Sequence, residues 1–163
     1  MVSIFVSGTA CAAPTAASAP SITKLPALCL IALLLPGAAL PAELEVRVEQ
    51  LRSDRGAVRL CLTREPSRFP DCKQDPNAIR HSSAAGAAGS IMLHAVPPGS
   101  YALSVIHDEN NNGRLDTFAR IPREGFGFSR NPAMGFGPPR FEQARFPVAG
   151  GANLQTIRLR YLL

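Results

Sequence analysis

The sequence predicts an all-β antiparallel sandwich. Three observations carry this reading. Apolar residues recur at every second position in several segments, turn signals rich in glycine and proline separate those segments, and no stretch shows convincing helical periodicity. Such a sandwich has about seven strands.

The chain has 163 residues, enough for one domain. Its first 42 residues stand apart: they carry one basic residue, Lys24, and no acidic residue precedes Glu43. Residues 25–35 are apolar except for Pro26, and Pro36-Gly37-Ala38-Ala39 follows. A single charge, a short apolar core and small residues after it describe a secretory signal peptide. The apolar stretch is shorter than the roughly 20 residues that span a bilayer. Residues 1–42 are therefore read as a leader cleaved after Ala39 or Ala42. Residues 43–163 are read as a single β-sandwich domain, periplasmic or extracellular and not integral to the membrane after cleavage. The neutral stretch ahead of Lys24 is unusual for such a leader. It implies either a start further in or a long leader.

From Glu43 onward there are 16 basic and 12 acidic residues, and every basic residue except Lys73 is arginine. The charges alternate in sign along the strands instead of forming a block. That describes a solvated surface, not a nucleic-acid or lipid-binding patch. Of four cysteines, Cys11 and Cys29 lie in the leader. Cys29 sits inside the apolar stretch with no folded-domain boundary after it, which disfavours a lipoprotein. Cys61 and Cys72, an even pair in an exported domain, are expected to form a disulfide. The loop it closes gains about 3 kcal/mol in the chain-entropy account. A metal-binding pair is disfavoured, because there is no C-x-x-C and no histidine cluster.

Along the domain, Leu44, Val46 and Val48 alternate with Glu45, Arg47 and Glu49, a strand with one wet face. Ser53-Asp54-Arg55-Gly56 signals a turn. Val58, Leu60 and Leu62 then alternate with Arg59, Cys61 and Thr63, so the two strands are expected to pair as an antiparallel hairpin. Cys61 falls on the face opposite Val58 and Leu60, which suits a bond to a covering loop. Residues 65–89 hold Pro66, Pro70, Pro76 and a run of alanine and glycine. They read as a long loop, docked by Phe69, tied down by Cys72 and flexible in its alanine-rich part. Residues 91–96 are a short strand, and Pro97-Pro98-Gly99 turns the chain. Tyr101, Leu103 and Val105 alternate with Ala102, Ser104 and Ile106, apolar on nearly both faces, as in a central strand. Residues 121–139 read as a packed irregular loop. Residues 141–148 read as extended, with Ala144, Phe146 and Val148 on one face. Ile157, Leu159 and Tyr161 mark the last strand.

The central strand ends in His107-Asp108-Glu109-Asn110-Asn111-Asn112-Gly113-Arg114-Leu115-Asp116. Oxygen-bearing side chains at Asp108, Asn110, Asn112 and Asp116, with Gly113 among them, follow the first nine positions of a calcium-wrapping loop. With the carbonyl of Arg114 they can supply five oxygens. The twelfth position is Ala119, so the bidentate carboxylate is missing; Glu109 or Glu124 is a candidate third carboxylate, Glu124 by reaching back. The competing reading is an Asx-rich turn whose side chains satisfy their own backbone.

Pro97-Pro98-Gly99-Ser100-Tyr101-Ala102, His107-Asp108-Glu109-Asn110, Gly113-Arg114-Leu115-Asp116, Pro122-Arg123-Glu124-Gly125-Phe126-Gly127-Phe128-Ser129 and Phe141-Glu142-Gln143-Ala144-Arg145-Phe146 occur in this order. The series resembles the bacterial family called domain of unknown function 2141, over nearly all of the chain after the leader. The resemblance implies an exported protein of Gram-negative bacteria with an immunoglobulin-like or transthyretin-like sandwich. It implies no activity. The Cys61/Cys72 pair and the alanine-rich loop are not part of it and look like subgroup features.

Other candidate sites are weaker. His81, His94 and His107 form no metal motif. A His107–Asp108 dyad is poor geometry, since strand neighbours point to opposite faces. Ser129 lacks the G-x-S-x-G elbow, and the glycine-rich segment lacks the ending of a phosphate cradle. Phe126, Phe128, Phe136 and Phe141 are expected to cap one end of the sandwich, with a small apolar groove there as a further reading. The sequence thus points to a non-enzymatic exported module. Its acidic turn is structural or holds calcium weakly, no other cofactor is called for, and its partner is a protein, glycan or envelope component. The alternative is a small-ligand-binding or hydrolytic envelope protein using the Gly/Phe loop with Asp108, Asp116 and Glu124.

Overall fold

The computed structural model describes residues 41–163. The leader reading, with Lys24, Cys11 and Cys29, falls on residues outside these. Among the described residues the strands are β1 (Ala42–Glu49), β2 (Ala57–Thr63), β3 (Ile79–Ala84), β4 (Ser90–Val96), β5 (Gly99–Asp108), β6 (Thr117–Phe118), β7 (Ile121–Pro122), β8 (Gly125–Phe128), β9 (Phe146–Val148) and β10 (Gly151–Arg158). A single helical turn, α1 (Phe141–Ala144), precedes β9. Among these residues no helix is long and apolar enough to cross a membrane.

Two sheets face each other across one apolar core, so the all-β sandwich stands. One sheet has the order β10-β1-β4, the other β3-β2-β5-β8 with β9 added at the start of β5. β1 buries Ala42, Leu44 and Val46 completely. From the second sheet Val58, Leu60 and Leu62 of β2 and Leu103 and Val105 of β5 meet them. Each such valine or leucine contributes about 1.5–3 kcal/mol by leaving water.

Four expectations about strands and their pairing are corrected. β1 and β2 do not form a hairpin. β1 pairs parallel with β10, Ala42 opposite Gly151 through Glu49 opposite Arg158, and antiparallel with β4. β2 pairs with β3 and β5 in the other sheet. Alternation identifies the face a strand buries, not the neighbour it bonds to. Residues 79–84 are a strand, and the alanines after them are ordered, with Ala85 and Ala88 buried in the core. β3 lies at a sheet edge with most side chains exposed, so it shows no apolar alternation. Residues 125–128 are a strand paired with β5. Residues 141–144 are helical, not extended: Gln143 accepts the Arg140 backbone N–H at 2.8 Å, and Phe141 and Ala144 are buried.

The β8 result has a steric cause. Phe126 and Phe128 point to the outer face of the second sheet, where they join Ala102, Phe141 and Ala144 in a separate apolar cluster. Gly125 and Gly127 point to the main core. A Cβ on Gly127 would stand 2.6 Å from Ile157 Cγ2 and 3.0 Å from the Arg158 carbonyl, and one on Gly125 would stand 2.5 Å from the Tyr161 ring. The alternation is glycine against phenylalanine, and glycine here admits a close neighbour instead of breaking a strand. Phe69 docks edge-on against Phe128 and Phe141, with centroids 5.7 and 6.1 Å away. Phe136 takes no part and is fully exposed.

A Gly127→Ala substitution is expected to lower stability by about 1–3 kcal/mol through overpacking. Gly89→Ala, with nothing within 4 Å of the added carbon, should change it little. Urea unfolding of both variants checks this, and equal effects would refute the close-packing account.

Candidate functional site

Even-numbered residues of β5 face outward, so the strand carries Asp108 to the outer side of the second sheet beside Ile106. Asp108 has no exposed surface. Its Oδ2 accepts from Arg59 Nε at 2.6 Å and from the Gly113 N–H at 2.8 Å, and its Oδ1 accepts from the Asn112 N–H at 3.0 Å. Bringing those amides back to the strand end requires a tight turn, with Asn111 and Gly113 at φ 60° and 81°. Gly113 supplies this left-handed geometry without strain. Inside the turn, Asn110 Oδ1 accepts the Asn112 N–H, and Asn112 Oδ1 accepts the Arg114 N–H, both at 3.0 Å. Their amide nitrogens donate to the two oxygens of Asp116 at 2.7 and 2.9 Å.

Glu124 closes the loop. It is nearly buried, and its two oxygens accept the N–H groups of Glu109 at 3.0 Å and Asp116 at 2.9 Å. One carboxylate thus ties both ends of the turn together. Arg52 braces the outside by donating to Glu109, to the Arg123 carbonyl and to the Leu163 carbonyl, and it stacks 4.5 Å over the Tyr161 ring. The chain reaches Glu124 through β6 and β7, a short hairpin whose turn residues Ala119 and Arg120 both have positive φ.

Electrostatics follow this geometry. Burial pushes the Asp108 carboxyl up, but the bonds from Arg59, Gly113 and Asn112 together outweigh it and hold the group below its ordinary value. The Asn112 and Asn110 amides hold Asp116 low, and Arg52 holds Glu109 low. Carboxyls held ionised in this way are poor proton donors at neutral pH.

The expected calcium ligands Asp108, Asn110, Asn112, Arg114 and Asp116 are brought together, but as a hydrogen-bonded clasp. Their side-chain oxygens accept N–H groups, and both asparagine amides are oriented by a bond at each end. Among the described residues no group of three or more histidine, cysteine, aspartate or glutamate side chains is placed to hold a metal ion.

His107 points into the core, away from Asp108. Its Nε2 lies 2.8 Å from the Arg55 carbonyl and its Nδ1 2.8 Å from the Tyr161 hydroxyl. A carbonyl only accepts, so Nε2 carries a proton, and in the neutral ring Nδ1 accepts from Tyr161. His94 is exposed beside Glu43. Ser129 is fully buried, accepting the Leu103 N–H and donating to the Ala144 carbonyl. It anchors α1 to β5.

Cys61 and Cys72 are joined in a disulfide with Cα atoms 6.3 Å apart. The bond holds residues 70–73 over the outer face, where Ser104 donates to the Pro70 carbonyl at 2.8 Å. Between this loop and the Asp108 turn lies a groove of about 680 Å³. Ser104, Ile106, Phe126 and Phe128 form its floor. The disulfide and Lys73 stand on one side, and Gly113 to Leu115 on the other, with Arg59, Arg80 and His81 along β2 and β3. The turn motif, the disulfide pair and the Gly/Phe segment were each visible in the sequence, but their convergence on one groove was not. The only signal of it was the outward alternation of Arg59, Cys61, Ser104 and Ile106.

A model of the family described as "Uncharacterized protein conserved in bacteria (DUF2141)" matches residues 46–156. No curated protein and no solved structure matches the chain.

Two outcomes are expected of this site. Glu124→Ala leaves two backbone N–H groups without acceptors and should cost about 1–3 kcal/mol, whereas Glu142→Ala at the exposed start of α1 should cost almost nothing. Because Asp108, Glu109 and Asp116 have folded-state pKa values below their unfolded ones, each stabilises above about pH 4. That stability is lost as the pH falls through the folded-state values. Urea midpoints should therefore drop steeply below about pH 4, and Asp108→Asn should flatten the drop. Parallel pH curves for the two proteins would contradict the assignment.

Proposed function

Because the chain belongs to this family of uncharacterised bacterial proteins, we propose that it is an exported β-sandwich module that binds a small ligand. The site is the groove between the disulfide-braced loop and the Asp108 clasp. The observation that supports this is the groove itself. Its volume of about 680 Å³ is within the range of small-molecule sites. Both walls are braced, one by the Cys61–Cys72 bond and the other by the bonds of Asp108 and Glu124. A site held open in this way orders little on binding. This narrows the partner from a protein, glycan or envelope component to a small molecule. The composition of residues 1–42 and the disulfide support a periplasmic or extracellular location. A hydrolytic role lacks support, because Asp108, Asp116 and Glu124 are all engaged by N–H donors.

Calcium is a second reading of the clasp. It would use the lone pairs that the Asp108, Asn110, Asn112 and Asp116 oxygens retain beside the N–H groups they accept, with the Arg114 carbonyl. Calorimetric titration to millimolar calcium distinguishes the readings. No heat and no thermal shift leaves the clasp self-sufficient. A shift that Asp108→Ala removes marks a calcium loop.

The groove is tested by fragment screening with amide-shift perturbation. Hits should cluster on Ser104, Ile106, Gly113 and Leu115, and Ile106→Trp, which fills the floor, should abolish them. Hits scattered over the surface, or none, would overturn the groove as the binding site.

A further inference from the structure

The lining of the groove also specifies the chemistry of its ligand. Four cationic side chains line it, Arg59, Lys73, Arg80 and Arg114, against one carboxylate, Asp71. They are not equally available. Arg80 is occupied with the Cys72 and Asp75 carbonyls. Arg114 and Lys73 are largely exposed, and each lies 3.6–3.7 Å from its nearest carboxylate, a contact worth little in water. Arg59 differs from these three. Its Nε is fixed at 2.6 Å on the fully buried Asp108, and its terminal nitrogens make no hydrogen bond among the described residues. An arginine anchored at one edge presents a pre-oriented fork to an oxyanion. Beside it, Ile106 and Leu115 are half-buried, and both pack against the outer apolar cluster.

We propose that the groove takes an amphiphilic anion, a carboxylate or phosphate head bonded to Arg59 with an apolar tail on Ile106 and Leu115. An inorganic anion would leave that apolar floor wet, and a neutral apolar molecule would leave the arginine fork unused. The Asp108 clasp then has a role in recognition, because it positions Arg59. The inference rests on the groove being the binding site.

The test uses four probes of equal tail length: octanoate, octyl phosphate, octanol and octylamine, each titrated into the purified protein and followed by amide shifts. Octanoate or octyl phosphate should saturate shifts at Ser104, Ile106 and Leu115, and which of the two binds more tightly identifies the head group. Octanol should bind about tenfold more weakly, because it lacks charge-assisted hydrogen bonds, and octylamine should not bind. Arg59→Gln should weaken octanoate by about tenfold. Since that variant also exposes the clasp to strain, Arg114→Gln and added salt serve as independent checks. Both should weaken octanoate and leave octanol unchanged. If octanol binds as tightly as octanoate and neither variant nor salt matters, the anion inference is overturned while the groove stands. If no probe moves the groove amides, the groove reading falls with it.

Discussion

Asp108 is a carboxylate without solvent, and one end of the molecule is organised around keeping it charged. Removing such a group from water costs several kcal/mol unless donors replace the lost hydration. Arg59 and two backbone N–H groups supply them. Those N–H groups reach Asp108 only if the chain doubles back immediately after β5, which requires Asn111 and Gly113 in the left-handed region. The turn in turn has amides of its own to satisfy. Asn110 and Asn112 accept the Asn112 and Arg114 N–H groups, Asp116 accepts both asparagine amides, and Glu124 takes the N–H groups of Glu109 and Asp116 at the ends. One buried charge therefore gives the alternating oxygens of this motif a structural role.

The same constraint shapes the second sheet. β5 is apolar on both sides because both sides are covered. Its odd positions meet β1 across the main core, and its even positions lie under the disulfide loop, α1 and the phenylalanine cluster. The outer cover is incomplete between the disulfide loop and the clasp. Each of these two features has its own structural reason, and the groove is the gap between them. Arg59 belongs to both clasp and groove, which couples the stability of the turn to the chemistry of the cavity.

Part of this was legible in the sequence. The alternation of Leu44, Val46 and Val48, of Val58, Leu60 and Leu62, and of Tyr101, Leu103 and Val105 correctly identified three strands and their buried faces. The opposite parity of Cys61 placed it toward a covering loop, where Cys72 meets it. β3 was hidden because an exposed edge strand has no apolar period. β8 was hidden because glycine took the inward positions, where the close approach of Ile157 and Tyr161 leaves no room for a side chain. α1 was hidden because a single turn is too short to repeat a helical period. In the sequence Glu124 is only a carboxylate a few residues beyond the turn. Its bonds depend on the β6–β7 hairpin bringing the chain back.

The sequence by itself determined what local chemistry determines: which strands alternate, which face each buries, where the chain must turn sharply, and which two cysteines are paired. Tertiary structure decided the pairing of β1 with β10, the separation of β1 and β2 into different sheets, the return of Glu124, and the groove. The physical reason is one of range. Periodicity and turn geometry are properties of neighbouring residues. Strand partners and long-range hydrogen bonds depend on which distant segments gain most from packing together once loop closure is set against that gain.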